Sequence, residues 1–180
     1  QDSTKAAKMM SEMNVTCVIT LGGDGTNRAV AKGSGNIPLM PISTGTNNVF
    51  PSMEEGTVAG IAAGVVARGL VDLKLVSTIA SILEVYVNKT KSDVALIDIA
   101  VSKERNIGAR AIWDIKTLHE IFLTQGNPES IGLSAIGARL NPYPQNDKLG
   151  IHIQIGNEGI YVDAPIAPGI IERVPIKNWH

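Results

Sequence analysis

The apolar positions of the first seventy or so residues change period several times. Asp2-Ser3-Thr4 can cap a helix, and Ala6, Met9, Met10 and Met13 then fall on one helical face. The methionines read as core filler. Residues 15–21 (VTCVITL) are β-rich and mostly apolar, as a buried parallel strand should be. A helix is predicted to open near Thr26 and to stop at Gly33-Ser34-Gly35-Asn36. Residues 38–42 read as a second strand, and residues 43–48 (STGTNN) as a polar loop at its end. Residues 57–68 form a small-residue helix suited to packing on a sheet. The order α-β-α-β-α is that of a parallel sheet with helical crossovers, which places both polar loops at the carboxyl ends of strands, where such sheets bind ligands.

Near residues 70–74 the pattern changes. Residues 82–88 and 94–102 are β-rich and read as a hairpin joined by residues 89–93. Asp114 can cap a helix reaching about Leu123, which would carry His119. Residues 124–147 are rich in Gly, Pro and Asn and read as loops around a short strand. Residues 149–155 and 159–163 read as a hairpin across Gly156-Asn157-Glu158. Ala164-Pro165-Ile166-Ala167-Pro168-Gly169 breaks the run before a last strand, residues 170–176. The expected fold class is therefore α/β: a parallel α/β domain over residues 1–70, then a β-rich, mostly antiparallel domain over residues 71–180.

Composition adds bounds. The chain has 180 residues, 44% of them hydrophobic, enough for one ordinary domain or two small ones. Its net charge of −1 and lack of a basic run give no pull toward nucleic acid or an anionic membrane, so neither is expected as a partner. The single Cys17 cannot form an internal disulfide and reads as a structural thiol. One cysteine and no signal peptide fit a cytoplasmic protein. No cluster of His, Cys or carboxylates has metal-ligand spacing, and His119 and His152 read as structural or surface residues. Trp113 and Trp179 are too isolated to form a stacking platform.

The strongest chemical signal is Gly22-Gly23-Asp24-Gly25-Thr26, set between the first strand and a helix. Strand, glycine turn and helix together aim backbone N–H groups at a phosphate, and glycine lets the backbone come close. An acid is out of place in a pure phosphate cradle. Asp24 makes sense as a group that accepts a proton from a substrate hydroxyl, holds that hydroxyl in line, or helps place Mg²⁺. Arg28 and Lys32 on the following helix could reach a phosphate, though solvated helix charges are the commoner outcome. Asp-Gly is also a hairpin signal, but residues 27–32 read as helix, not as a returning strand. There is no G-x-x-x-x-G-K-[ST] and no G-x-S-x-G, so neither P-loop nor nucleophile-elbow chemistry applies.

A strand ending in GGDGT, followed by Pro41-Ile42-Ser43-Thr44-Gly45-Thr46-Asn47-Asn48, resembles the NAD kinase and diacylglycerol kinase superfamily. Residues 95–101 resemble its segment with an Asn-Glu or Asn-Asp pair, residues 128–137 its serine-rich loop, and residues 164–168 its T-P-I-C-P segment. STGTNNVFP and IGARAIWD look most like the acetoin catabolism protein X branch, an ATP–NAD kinase-like group. The resemblance implies a two-domain enzyme that moves the γ-phosphoryl group of ATP, with Mg²⁺, to a hydroxyl of NAD or a related nucleotide. Asp24 would be its acceptor-side acid or base. Gly22, Gly23, Gly25 and Thr26 would form the phosphate loop. Thr44, Gly45, Thr46, Asn47 and Asn48 would be second-loop contacts, with Asp98 and Ser134 as further nucleotide contacts. Ile97 stands where the family has its adenine-binding Asn. The resemblance further implies a homo-oligomer, a strand with an Asn-Pro-x-x-Gly loop ahead of residue 1, and a continuation past His180. Two other readings stand beside it: a non-catalytic nucleotide-binding protein regulating acetoin catabolism, and a lipid or polyol kinase built on the same loop.

Overall fold

The computed structural model describes residues 2–104, 114–141 and 149–180. The IGARAIWD stretch up to Trp113 therefore lies outside the described residues, as does part of the 124–147 region. The chain divides into two compact units, Gln1–Ala80 and Ser81–His180; the sequence pattern had placed the change of character at residues 70/71. Parallel pairing occurs in the first unit and antiparallel pairing in the second, so the protein is mixed α/β.

In the first unit, α1 (Asp2–Glu12), β1 (Val18–Leu21), α2 (Asp24–Ser34), β2 (Leu39–Ile42) and α3 (Gly56–Ala67) follow the predicted order. A one-turn α4 (Leu73–Val76), capped by Asp72, had no clear signal. Strands β1 and β2 pair in parallel, Val18 opposite Leu39 and Leu21 opposite Ile42. A small core of Ala7, Val18 and Val30, with Val15, Ile37 and Leu39 against it, joins α1 and α2 to one face of β1. Two expectations are corrected here. Only Val18 and Thr20 of β1 are buried, because the strand's alternate residues Ile19 and Leu21 point to the opposite, uncovered face. The methionines of α1 are not core filler: Met9 is 61% and Met13 73% exposed. The helices meet instead through small residues. Thr4 Oγ1 donates to Ala29 O, and a Cβ at Gly33 would stand 2.2 Å from Thr4 O, so that close approach requires glycine. Helix α3 starts on Glu55, whose carboxylate accepts from the Val58 N–H, and closes at Gly69 (φ 64°) with Leu70 N–H on Val65 O and Gly69 N–H on Val66 O.

In the second unit, β3 (Leu83–Val87) and β4 (Thr90–Ala95) form a hairpin. Its turn is the two residues Asn88 and Lys89, both at positive φ, a tighter connection than the expected loop, and the run 94–102 expected as one strand is divided, its start closing β4 and residues 98–102 joining a separate sheet. A four-stranded antiparallel sheet follows in the order β5 (Asp98–Ser102), β6 (Leu118–Leu123), β7 (Ile151–Ala167), β8 (Ile170–Trp179). The helix expected from Asp114 is a single 3-10 turn, Ile115–Thr117, and residues up to Leu123 are strand β6, paired with β5 and β7 on either side. His119 is thus a strand residue. The short strand expected within 124–147 is instead helix α5 (Leu133–Leu140). The expected hairpin across Gly156-Asn157-Glu158 is a bulge inside one long strand. Ile155 and Ile160 both oppose Ile176, and pairing continues to Ala167, so the chain reverses only at Pro168-Gly169. One core holds the sheet and α5 together, centred on Ile121, Leu123, Ile136, Ile153, Ala164, Val174 and Ile176.

Candidate functional site

The glycine turn is built on the end of β1. Gly22 N–H donates to Ile42 O at 3.0 Å, so the parallel ladder carries one bond past the strands and brings the two polar loops side by side. Gly23 is the N-cap of α2, extended at φ −93° and ψ −168°, with no side chain to cap the helix. The first helical bond runs from Asn27 N–H to Gly23 O at 3.1 Å. The N–H groups of Asp24, Gly25 and Thr26 come before it, in the turn where a helix leaves its donors without helical partners. A Cβ at Gly25 would meet nothing within 4 Å, so this end of the helix opens onto free space. Gly22 and Gly23 are confined: a Cβ would lie 2.5 Å from Thr26 Oγ1 at the first and 2.6 Å from Asn48 Oδ1 at the second.

Asp24 fastens the second loop to the first. Its Oδ1 accepts from Val49 N–H at 3.1 Å and Phe50 N–H at 2.8 Å, and Oδ2 shares the Val49 N–H at 3.1 Å. The loop is braced internally as well. Asn48 Nδ2 donates to Ser43 Oγ at 2.8 Å, Ser43 Oγ donates to Gly45 O at 2.9 Å, and Ser43 N–H donates to Ser52 O at 2.7 Å. Asn47 takes a left-handed φ of 65°. Thr44, Gly45, Thr46 and Asn47 are exposed, and Asn48 is half-buried against Gly23. Of the residues singled out from the sequence, Gly23 and Asp24 meet the loop that carries Thr44–Asn48, Gly22 bonds to the strand end before it, and Gly25 and Thr26 follow in the first turn of α2. Arg28 is half-buried and Lys32 exposed on α2.

Four residues of this assembly escaped the sequence reading. Val49 and Phe50 act through main-chain N–H groups, which no sequence letter marks. Asn27 is 0% exposed, with Nδ2 donating to Gly23 O at 3.0 Å and Oδ1 accepting from Thr20 Oγ1. A signal existed for this pair: Asn27 lies one helical turn after Gly23, and Thr20 shares the covered face of β1 with Val18.

Asp98 and Ser134 belong to the second unit. Asp98 opens β5 opposite Leu123 and is half-buried. Its neighbour Ile97 is buried, and its carbonyl accepts the Thr124 N–H at 2.8 Å. Ser134 lies in the first turn of α5 and is 1% exposed. Its Oγ is 2.7 Å from Ser130 Oγ, which donates to Asn127 O at 2.8 Å. Ser130 has one hydroxyl hydrogen and it is used there, so Ser134 is the donor to Ser130. The Ser134 hydroxyl is therefore an internal brace of the turn that starts α5.

Among the described residues no three His, Cys, Asp or Glu side chains converge on a metal position. His152 stacks on Phe122 with ring centres 4.4 Å apart and lies 3.3 Å from Glu120 Oε2, a packed strand residue. Burial pushes the Cys17 thiol up, away from a nucleophile's range. No helix is long and apolar enough to cross a membrane among the described residues.

Comparison with known proteins agrees with the division of the chain. Residues 1–70 match the ATP-NAD kinase N-terminal domain, and residues 81–180 match the acetoin catabolism protein X C-terminal domain. A protein of Cupriavidus necator named "Acetoin catabolism protein X" is 37% identical over 185 residues, covering 99% of this chain and 52% of that relative. The chain therefore spans about half the length of the curated relative it matches. No solved structure matches it.

Proposed function

The chain belongs to the acetoin catabolism protein X family, and from that premise we propose that its first unit binds nucleotide phosphates at the Gly22–Thr26 turn and serves phosphoryl transfer from ATP to a hydroxyl of NAD or a related nucleotide. The observation that carries this reading is the Asp24 clamp: one carboxylate, at the first residue of α2, held by the Val49 and Phe50 N–H groups. Bonds to Oδ1 fix the direction of the carboxylate and leave Oδ2 a lone pair for an acceptor hydroxyl. The acceptor oxygen attacks the γ-phosphorus, the bond to the ADP oxygen breaks, and the acceptor proton passes to Asp24 or is held by it in line. The N–H groups of the first turn of α2 stabilise charge on the transferring group. Mg²⁺ arriving with the nucleotide would supply further neutralisation of phosphate charge.

The match of residues 1–70 to an NAD kinase domain supports the choice of nucleotide and of reaction class. A second reading, nucleotide binding without turnover, is favoured by one observation: buried Ile97 cannot make the hydrogen bonds of the family's adenine-binding Asn. The test is MgATP-dependent formation of NADP from NAD by the parent chain and by Asp24→Asn. The phosphotransferase reading expects turnover in the parent and a loss of about 10²-fold or more in the variant, with nucleotide affinity within a few-fold. Equal turnover in Asp24→Asn removes Asp24 from the chemistry. Binding with no turnover in the parent selects the regulatory reading.

A further inference from the structure

We infer that Asn27 is a positioning residue that aims the Asp24 N–H at the bound phosphate. The inference rests on the phosphate-binding reading above and adds to it a residue outside the glycine turn. The Gly23 carbonyl accepts two bonds from Asn27, one from its N–H at 3.1 Å and one from its side-chain Nδ2 at 3.0 Å. A peptide unit is planar and trans, so its C=O and N–H point in opposite directions. Pinning Gly23 O down the helix therefore directs the N–H of the same peptide, that of Asp24, out of the N-terminus of α2.

That peptide needs pinning. Gly23 has no Cβ and can rotate where other residues cannot. A flip of the Gly23–Asp24 peptide would turn the N–H inward and present a carbonyl oxygen to the phosphate. The helical bond from Asn27 N–H resists this, and the side-chain bond doubles the restraint. The Gly23 carbonyl, which only accepts, requires the amide nitrogen on its side, and Thr20, whose hydroxyl donates to Asn27 Oδ1, holds the other end of the amide. Asn27 is 0% and Thr20 5% exposed, and the bond between them is buried. A polar side chain in this place has an apolar alternative of similar size. The polar one is explained by what it holds.

The experiment compares the full chain with Asn27→Ala, Thr20→Val and Thr20→Ser. Two readouts are taken: the amide resonance of Asp24 without ligand, and the calorimetric affinity for MgATP. Asn27→Ala is expected to move the Asp24 resonance and to weaken MgATP about tenfold, the equivalent of one strong hydrogen bond. Thr20→Val is expected to do the same in smaller measure, and Thr20→Ser, which keeps the hydroxyl, to restore both. A structural role alone would lower the melting midpoint without this pattern of rescue. An unmoved Asp24 resonance in folded Asn27→Ala overturns the inference. If Asn27→Ala does not fold, identical behaviour of Thr20→Val and Thr20→Ser overturns it. Should the parent chain fail to bind MgATP, the phosphate reading falls, while the ligand-free resonance still decides whether Asn27 sets the peptide.

Discussion

Asp24 carries the account at the scale of the residue. The motif around it was legible because glycines and an acid between a strand and a helix are a rare combination with a physical reason. Its partners were not legible, since Val49 and Phe50 contribute backbone N–H groups. Asn27 lay in plain view but looked like an ordinary helix residue until its burial was known. The same logic of side chain on backbone makes Glu55 a testable cap. Hydrogen bonds from Thr57 and Val58 hold its carboxyl below the usual glutamate range. A carboxylate with a lowered folded-state pKa contributes stability above its unfolded value and loses it as the pH falls through the lowered one. The Val58 amide resonance is therefore expected to titrate with a midpoint below the ordinary glutamate value, and to stop titrating there in Glu55→Ala. An unchanged acid titration in that variant would show that Glu55 is not the cap.

At the scale of the element, the order of helices α1, α2 and α3 and strands β1 and β2 followed from apolar runs and glycine punctuation, but the apolar face read for α1 is its exposed one, and Ala7 is the residue it buries. The second unit was harder for a specific reason. Residues 118–123 carry a cap-like Asp114 ahead and apolar residues at both helical and strand spacing, and a short apolar run does not choose between them. Pairing with strands on both sides decides it, and those strands are distant in sequence. Helix α5 was hidden because it opens on Gly132 at φ 120° with no side-chain cap. Glycines within elements separate two roles. Gly33 lies where a methyl group would stand 2.2 Å from Thr4 O and 2.9 Å from Lys8 N, whereas Gly60 in α3 has nothing within 4 Å. Alanine gains up to about 1 kcal/mol over glycine inside a helix, while forcing two backbones apart costs about 1–3 kcal/mol. Gly60→Ala should raise the denaturation midpoint, and Gly33→Ala should lower it. Stabilisation by both would show that α1 and α2 are not packed through Gly33.

At the scale of the whole molecule, the chain is two compact units with different pairing, matched by two different domain families. The change from parallel to antiparallel order was visible in the sequence as a change of period and turn content. The site was visible only in part. The two loops of the first unit meet through Asp24, as strand-end loops of a parallel pair should. Asp98 and the internally braced Ser134 lie in the second unit. The phosphate-binding claim rests on the first unit alone. It is tested most directly by titrating MgATP, and separately NAD, into the isotope-labelled chain and following every assigned amide. The account predicts saturable shifts concentrated on Asp24, Gly25 and Thr26, with Val49 and Phe50 moving alongside because Asp24 connects them. Saturable binding that leaves those five amides unmoved, or no binding of either nucleotide, would contradict it.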